Sequence, residues 1–377
     1  MTATLTGSAM IDICVPVYNG AAFVGETIES ILAQDFTDIN VLISVDRSDD
    51  DSAQICRRYE ADQRVRVYEH TRRLGYVGNS NFLMGEARAP LMKFALHDDL
   101  LSPDEIGILN DFMAREPGCS IAIPTIIGFG EHFQDFDQHE VRGPTLRRML
   151  DIIMNQRSVA AFHGLVRIDP SAQLRPMLPN GYLRDCEADV YWMAMAATTG
   201  ELRRVEAAIE HKRFLPSMAS LAWCPQTAKE ARKLLVQQTA RLAELAFTTC
   251  QDDQERTQVL MAALVRLRGE GLNWGMRKLT RARPLFNTRV QREFIKSLSG
   301  PAAEFAHKAN ISELLKDMKQ AGGVIGASRL ARHLQAVVSR GRLAQAESLY
   351  SQALKMDPLA GWAGSFRKKL DGLATAA

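Results

Sequence analysis

The chain has no cysteine pairing pattern. Its six cysteines, Cys14, Cys56, Cys119, Cys186, Cys224 and Cys250, are scattered, with no CxxC spacing. That excludes a zinc ribbon and a disulfide framework and points to reduced thiols. Long apolar runs are missing as well, and none approaches the length of a membrane span. The first residues, Met1-Thr2-Ala3-Thr4-Leu5, lack the basic and apolar regions of a secretory signal. Together these absences predict a cytoplasmic protein, and no nucleic-acid partner is expected.

The 377 residues are 46% hydrophobic and 24% charged, the composition of a globular protein long enough for two or three domains. A net charge of +2 conceals an asymmetry. After Pro225 there are 25 Lys/Arg against 13 Asp/Glu, which leaves 21 against 31 before it. An acidic front and a basic back predict separate domains, 1–225 and 226–377. The back half has almost no β-branched runs. Leu234, Leu235, Leu242, Leu245 and Ala246 form one helical stripe, and Val259, Leu260, Ala263, Leu264 and Leu267 another. Gly300-Pro301 and Gly322-Gly323 read as breaks. Residues of about 336–370, with Ala346, Tyr350, Ala353-Leu354 and Pro358, resemble one tetratricopeptide unit, and no second copy follows at that period. A lone unit cannot bury its own face, so docking on the preceding helices is expected. The basic helical surface could meet an anionic membrane at the inner face or an acidic protein.

In the front half, strands alternate with helices. Ile11–Val17, Val41–Val45, Val65–Tyr68 and Leu91–Leu96 read as strands. Helices are expected over 22–34, 51–62 and 78–87. The alternation predicts an α/β fold with a doubly wound, mostly parallel sheet and right-handed crossovers. Ile121–Ile123 continues the sheet, residues 129–140 read as a loop, Arg147–Asn155 and Glu187–Thr198 as helices, Ala160–Ile168 as a strand and Glu201–Glu206 as a short edge strand. Polar residues stand at the strand ends: Asn19 after the first, Asp46 after the second, Arg72 and Arg73 after the third, and His97, Asp98 and Asp99 after the fourth. All fall on one edge of a parallel sheet, where such folds bind ligands. Ser102-Pro103-Asp104-Glu105 has the form of a helix start, with Ser102 as N-cap and Glu105 closing a capping box. The Asp98-Asp99 pair offers hard oxygen donors that suit Mg2+ or Mn2+ and, through it, a diphosphate. Pro16-Val17-Tyr18-Asn19-Gly20 is not the glycine-rich, basic loop that would cradle a triphosphate, which argues against a nucleotidyltransferase.

Five segments carry a family resemblance: Val15-Pro16-Val17-Tyr18-Asn19-Gly20, Thr27 to Gln34, Val45-Asp46-Arg47-Ser48-Asp49-Asp50, Leu74-Gly75 with Asn79 and Asn81, and His97-Asp98-Asp99. Their order and spacing over residues 10–115 resemble the inverting glycosyltransferases of family 2, with the GT-A fold. The likeness continues more weakly to about 220, through Ala161–Arg167 and Cys186–Trp192. The basic helical tail lies outside it.

The resemblance implies transfer of a sugar from a nucleotide-sugar donor, with inversion, to a glycan, lipid-linked or protein acceptor, in surface polysaccharide or glycoconjugate synthesis. By the same resemblance, Pro16 and Tyr18 line the nucleotide site and Asp46 holds the base or ribose. Asp98 and Asp99 match the acidic metal motif, Asp99 as ligand. Asp189 matches the catalytic base, with Asp185 and Glu187 as rivals. Arg72 and Arg73 are donor-contact candidates, and His211, Lys212 and Arg213 are candidates to grip the diphosphate. His163 is a weaker acceptor-side candidate. Three departures stand out. His97 occupies a place where an acid is usual, and is itself a candidate ligand. Arg47 follows Asp46 without the expected acid and glycine. The acidic pair near the base is split as Glu187-Ala188-Asp189. These departures keep open a non-catalytic scaffold that uses its helical tail for partners.

Overall fold

The computed structural model describes residues 10–130, 140–155, 160–168, 177, 185, 188–214, 227–267 and 288–309. Packing divides the chain into two compact units. One comprises Met1–Gln138 with Ser158–Cys224, the other His139–Arg157 with Pro225–Ala377.

The first unit is built on an eight-stranded sheet: β1 (Ile11–Val17), β2 (Ile39–Val45), β3 (Val65–Glu69), β4 (Leu91–Phe94), β5 (Leu100–Leu101), β6 (Cys119–Gly130), β7 (Leu165–Arg167) and β8 (Glu201–Phe214). Their order is β3-β2-β1-β4-β7-β6-β8-β5. The first four strands are mutually parallel, with Ile13 opposite Val41 and Lys93, and Ile43 opposite Val67. β7 is antiparallel to both β4 and β6, and β6 runs parallel to β8. The fold is therefore the mixed, mostly parallel α/β sheet that the alternation predicts.

β1 is buried along its whole length because it lies inside the sheet and is covered on both faces. Pro16 is tolerated there because β1 pairs with β4 only as far as Cys14 opposite Phe94. Proline's missing N–H therefore falls beyond that ladder. α1 (Val24–Leu32) turns Val24, Thr27, Ile28 and Ile31 into the core. Each such aliphatic side chain contributes about 1.5–3 kcal/mol on burial. α2 (Ser52–Arg57), α3 (Gly75–Glu86) and α4 (Glu105–Arg115) complete the crossovers.

Several local expectations change in the fold. β8 is not a short edge strand: it runs fourteen residues and pairs with both β6 and β5. His211, Lys212 and Arg213 therefore lie within it rather than after it. The stretch read as a strand from Ala160 begins as a 3-10 turn (Ala160–His163) before β7. The Ser102 capping box does not form. α4 has Asp104 at its N-cap position without a side-chain bond, and Glu105 points into the core instead.

The second unit is helical. It contains α5 (Thr145–Asn155), and, after α6 (Ala188–Thr199) of the first unit, α7 (Ala228–Phe247), α8 (Asp253–Val265), α9 (Thr288–Ser297) and α10 (Gly300–Lys308). α7 opens on a capping box in which Thr227 accepts from Glu230 N and Glu230 from Thr227 N. The two predicted stripes are buried. Within this unit Arg266 is buried and donates to the Ile153 carbonyl at 3.1 Å and to the Gln238 side chain. Gly300-Pro301 starts a helix rather than breaking one, because Gly300 takes φ +53° and Pro301 falls in the first turn. Residues 336–370, with the tetratricopeptide-like unit, and Gly322-Gly323 lie outside the described residues, as do residues 131–139; Phe129 and Gly130, at the start of the stretch read as a loop, close β6 instead.

Candidate active site

The C-terminal ends of β1, β2 and β4 gather the polar residues that the sequence singles out. The loop after β1 is bound to the loop after β2. Ser48 Oγ accepts from Asn19 N at 3.0 Å, Ser52 Oγ from Gly20 N at 2.8 Å, and Asp50 Oδ2 from Ala21 N at 3.0 Å. Asn19 Oδ1 accepts in return from Asp49 N at 2.9 Å. Asn19 adopts the left-handed backbone that asparagine tolerates better than most residues.

Asp46, at the end of β2, is buried. Its Oδ1 accepts from Arg47 N at 2.9 Å and Leu74 N at 2.7 Å, and its Oδ2 from Gly75 N at 2.9 Å. The carboxylate thus caps the start of α3, where unpaired N–H groups and the helix dipole favour an anion. Gly75, at φ +75°, provides the turn that aims its N–H there. Arg73 Nε lies 3.0 Å from Asp46 Oδ2, and its guanidinium stacks 3.0 Å from the Tyr18 ring centroid. Tyr18, Asp46 and Arg73 form one cluster, whereas Arg72 is exposed and has no hydrogen bond or ion pair among the described residues. Pro16 is buried in the strand just before Tyr18.

The turn after β4 carries His97, Asp98 and Asp99. His97 lies against Gly20: a Cβ on that glycine would come within 2.4 Å of His97 Cδ2. This close approach joins the β1 loop to the acidic turn. Asp98 is half-buried, and its backbone carbonyl accepts from Arg213 Nε at 3.0 Å. Asp99 is fully buried. Its Oδ1 accepts from Arg213 N at 2.9 Å, and its Oδ2 lies 3.3 Å from Lys212 Nζ and 3.8 Å from His163 Nδ1. Burial raises the Asp99 carboxyl against the opposing pull of Lys212 and His163. Arg213 is clamped between Phe23 and Phe129, at 4.7 and 4.6 Å from the ring centroids, and pairs with Glu26 at 2.6 Å. His211 Nε2 hydrogen-bonds Ser102 Oγ at 3.1 Å and is spent on the fold.

Behind Asp99 lies a buried ionic chain that the strand-end pattern does not reveal. His163 Nδ1 is 2.5 Å from Glu210 Oε1. Glu210 Oε2 is 2.6 Å from Lys93 Nζ, which also donates to the His163 carbonyl and lies 3.0 Å from Glu105 Oε1. Lys93, Glu105 and Glu210 are all 0% exposed. Burial pushes the Glu105 carboxyl up to about 8 in spite of Lys93. For Glu210, Lys93 and His163 outweigh burial and hold it down at about 2. Lys93 therefore serves as counter-ion to ionised Glu210, while Glu105 holds a proton. The one signal in the sequence is Lys93 itself, a charge in the apolar run Leu91-Met92-Lys93-Phe94.

Asp99, His163 and Glu210 each present a ligand atom within 4.8 Å of the others. Two carboxylate oxygens and an imidazole nitrogen are donors that Mg2+ or Mn2+ accepts, so the donor set fits a divalent cation. Asp189 sits in the first turn of α6, half-buried, and its Oδ1 accepts from Val190 N at 2.9 Å. Its charge is felt by Tyr76 of α3, whose hydroxyl is raised well above its usual range by burial and then by Asp189. Of the rival bases, Asp185 adopts a left-handed φ of +61°, and Glu187 lies outside the described residues.

Acidic residues thus collect beyond the ends of parallel strands in a mixed α/β sheet, as the resemblance to GT-A glycosyltransferases implies. Residues 12–168 match the family model of Glycosyl transferase family 2. Glycosyltransferase GlyG of Streptococcus pneumoniae is 26% identical over 130 residues, 34% of this chain and 43% of its own length. The uncharacterized glycosyltransferase RT0329 of Rickettsia typhi is 31% identical over 102 residues, 27% of this chain and 31% of its own. The chain thus spans less than half the length of these relatives. The crystal structure of S. aureus TarS 1-349 in complex with UDP-GlcNAc has a similar fold, with a TM-score of 0.53 at 14% identity, covering 95% of this chain and 91% of that one.

Proposed function

We propose that the chain transfers a sugar from a nucleoside-diphosphate sugar to an acceptor hydroxyl with inversion. The observation that carries this reading is the meeting of the Tyr18–Asp46–Arg73 cluster and the Asp98–Asp99 turn, through Gly20 and His97, at the ends of β1, β2 and β4 in a family 2 stretch. Tyr18 offers an aromatic face and Asp46 a carboxylate at the nucleoside end. Of the two arginines after β3, Arg73 touches this cluster and is the better donor contact than Arg72. A divalent cation, Mg2+ or Mn2+, would be held by Asp99, with His163 and Glu210 completing the donor set and Asp98 and His97 on the same turn, and would neutralise charge on the leaving diphosphate. Arg213 orients that turn through Asp98 O and Asp99 Oδ1. Asp189 would take the acceptor proton as general base, on the face of the sugar away from the diphosphate. A single in-line displacement then inverts the anomeric carbon. The acceptor, whether glycan, lipid-linked or protein, and a place in surface polysaccharide or glycoconjugate synthesis belong to the same proposal.

Among the described residues no helix is long and apolar enough to cross a membrane. We assign the basic helical region a peripheral contact with a membrane or a protein partner. The test is a panel of UDP- and GDP-sugars, each with Mn2+, Mg2+ or EDTA, scored by thermal shift and by release of the nucleoside diphosphate. Stabilisation and release with at least one donor, lost in Asp99→Ala and Asp189→Ala proteins that still fold, is the expected result. Full activity in either variant would remove that residue from its role. No stabilisation by any donor would favour the scaffold reading.

A further inference from the structure

The contested atom of the site is Asp99 Oδ2. Asp99 Oδ1 is committed, because it accepts from the backbone N–H of Arg213, and that residue is fixed by Phe23, Phe129 and Glu26. Oδ2 faces two groups, Lys212 Nζ at 3.3 Å and His163 Nδ1 at 3.8 Å. His163 is itself engaged by Glu210, which is neutralised from behind by Lys93. The ammonium of Lys212 is therefore the cation that balances the buried Asp99 carboxylate. Its neighbour Arg213 is held by two aromatic rings, Glu26 and the Asp98 carbonyl, whereas Lys212 carries its charge on a flexible four-carbon stem.

We propose that Lys212 is a built-in competitor for divalent cation at Asp99, which must leave Oδ2 for the cation to enter and is free to leave once a diphosphate can receive its charge. The inference rests on the cation site proposed above. It predicts that cation and nucleoside diphosphate bind together better than either binds alone, since each relieves a cost imposed on the other. Such coupling is reciprocal. An ammonium left beside the incoming cation would repel it strongly in a buried site.

The full chain can be titrated with Mn2+ by following the paramagnetic signal of the free ion, alone and with UDP or GDP. In the unaltered protein Mn2+ should bind weakly alone and more tightly with one nucleotide. Lys212→Met should tighten Mn2+ alone by about tenfold and shrink the nucleotide enhancement, because one opposing charge near the site is gone. Lys212→Arg, which keeps the charge, should retain weak binding. Lys212→Gln replaces the Met variant if thermal melting shows that Met does not fold. Equal or weaker Mn2+ binding in the neutral variants would overturn the role of Lys212 alone. Absence of Mn2+ binding in every protein, with and without nucleotide, would instead overturn the cation reading of Asp99.

Discussion

Asp46 and Asp99 stand beyond the ends of β2 and β4, the two strands that flank β1, and both are buried. They are neutralised by different means. Asp46 is met by neighbouring backbone: Arg47 N, then Leu74 N and Gly75 N at the start of the next helix but one, with Arg73 beside them. Asp99 is met by residues more than a hundred positions away, Lys212 and Arg213 of β8. Behind it stands the longer ionic chain of His163, Glu210 and Lys93. A carboxylate tied down by N–H groups is fixed in place and keeps its partners when ligand comes. One balanced by a single lysine ammonium can exchange that partner. The first arrangement suits an anchor, the second a site that takes up and releases charge.

The largest test of this contrast is Lys93→Met. It leaves Glu210 without its counter-ion in the core and should cost about 3–5 kcal/mol in urea unfolding, the usual penalty for an orphaned buried charge. A loss under about 1 kcal/mol would mean that the chain behaves as a surface pair. Next is Asp46→Ala, which removes the acceptor of three N–H groups, Leu74 and Gly75 at the α3 start and the adjacent Arg47. A loss of about 2–3 kcal/mol is expected, with Asp46→Asn recovering part of it. If Asn and Ala are equally destabilised, the anchor works through charge alone.

The pH response is smaller and has a definite sign. Glu105 ionises near its ordinary value of about 4.3 when unfolded but is raised to about 8 in the fold. Its contribution is full below the unfolded value and is lost as pH rises through about 8. Melting temperature should therefore fall between about pH 5 and pH 8 and level off above that, and Glu105→Gln, which keeps a neutral side chain, should flatten that fall. An unchanged slope in the variant would assign the drop elsewhere. The smallest effect belongs to Arg57–Glu69, a pair with both side chains about half exposed. Glu69→Gln should change stability by no more than about 0.5 kcal/mol, since surface pairs contribute little.

Much of the fold is legible in residue order. The strand and helix periods of residues 11–115 place β1 to β4 and their crossovers. The two leucine-rich stripes of α7 and α8 are buried as their spacing requires. Local chemistry misleads where a longer-range partner intervenes. Ser102 and Glu105 have capping-box spacing, but Lys93 draws Glu105 into the core. Glu201–Glu206 has the polarity of an edge strand, but β8 continues to Phe214 because β6 and β5 bond it on both sides. Gly300-Pro301 looks like a stop and is a helix start.

By itself the sequence determines the alternation of strands and helices, the strand-end placement of Tyr18, Asp46, Asp98 and Asp99, and the split between an acidic front and a basic back. These are local properties, since periodicity and turn chemistry act over a few residues. Only the tertiary structure decides which charges balance Asp99, because β8 has to cross the sheet to bring Lys212, Arg213 and Glu210 to it. It likewise decides that Arg73 rather than Arg72 touches Tyr18, and that a lysine in an apolar strand holds the centre of an ionic chain. In a buried site the cost of an unpaired charge selects partners by distance in space, and spacing along the chain carries no record of it.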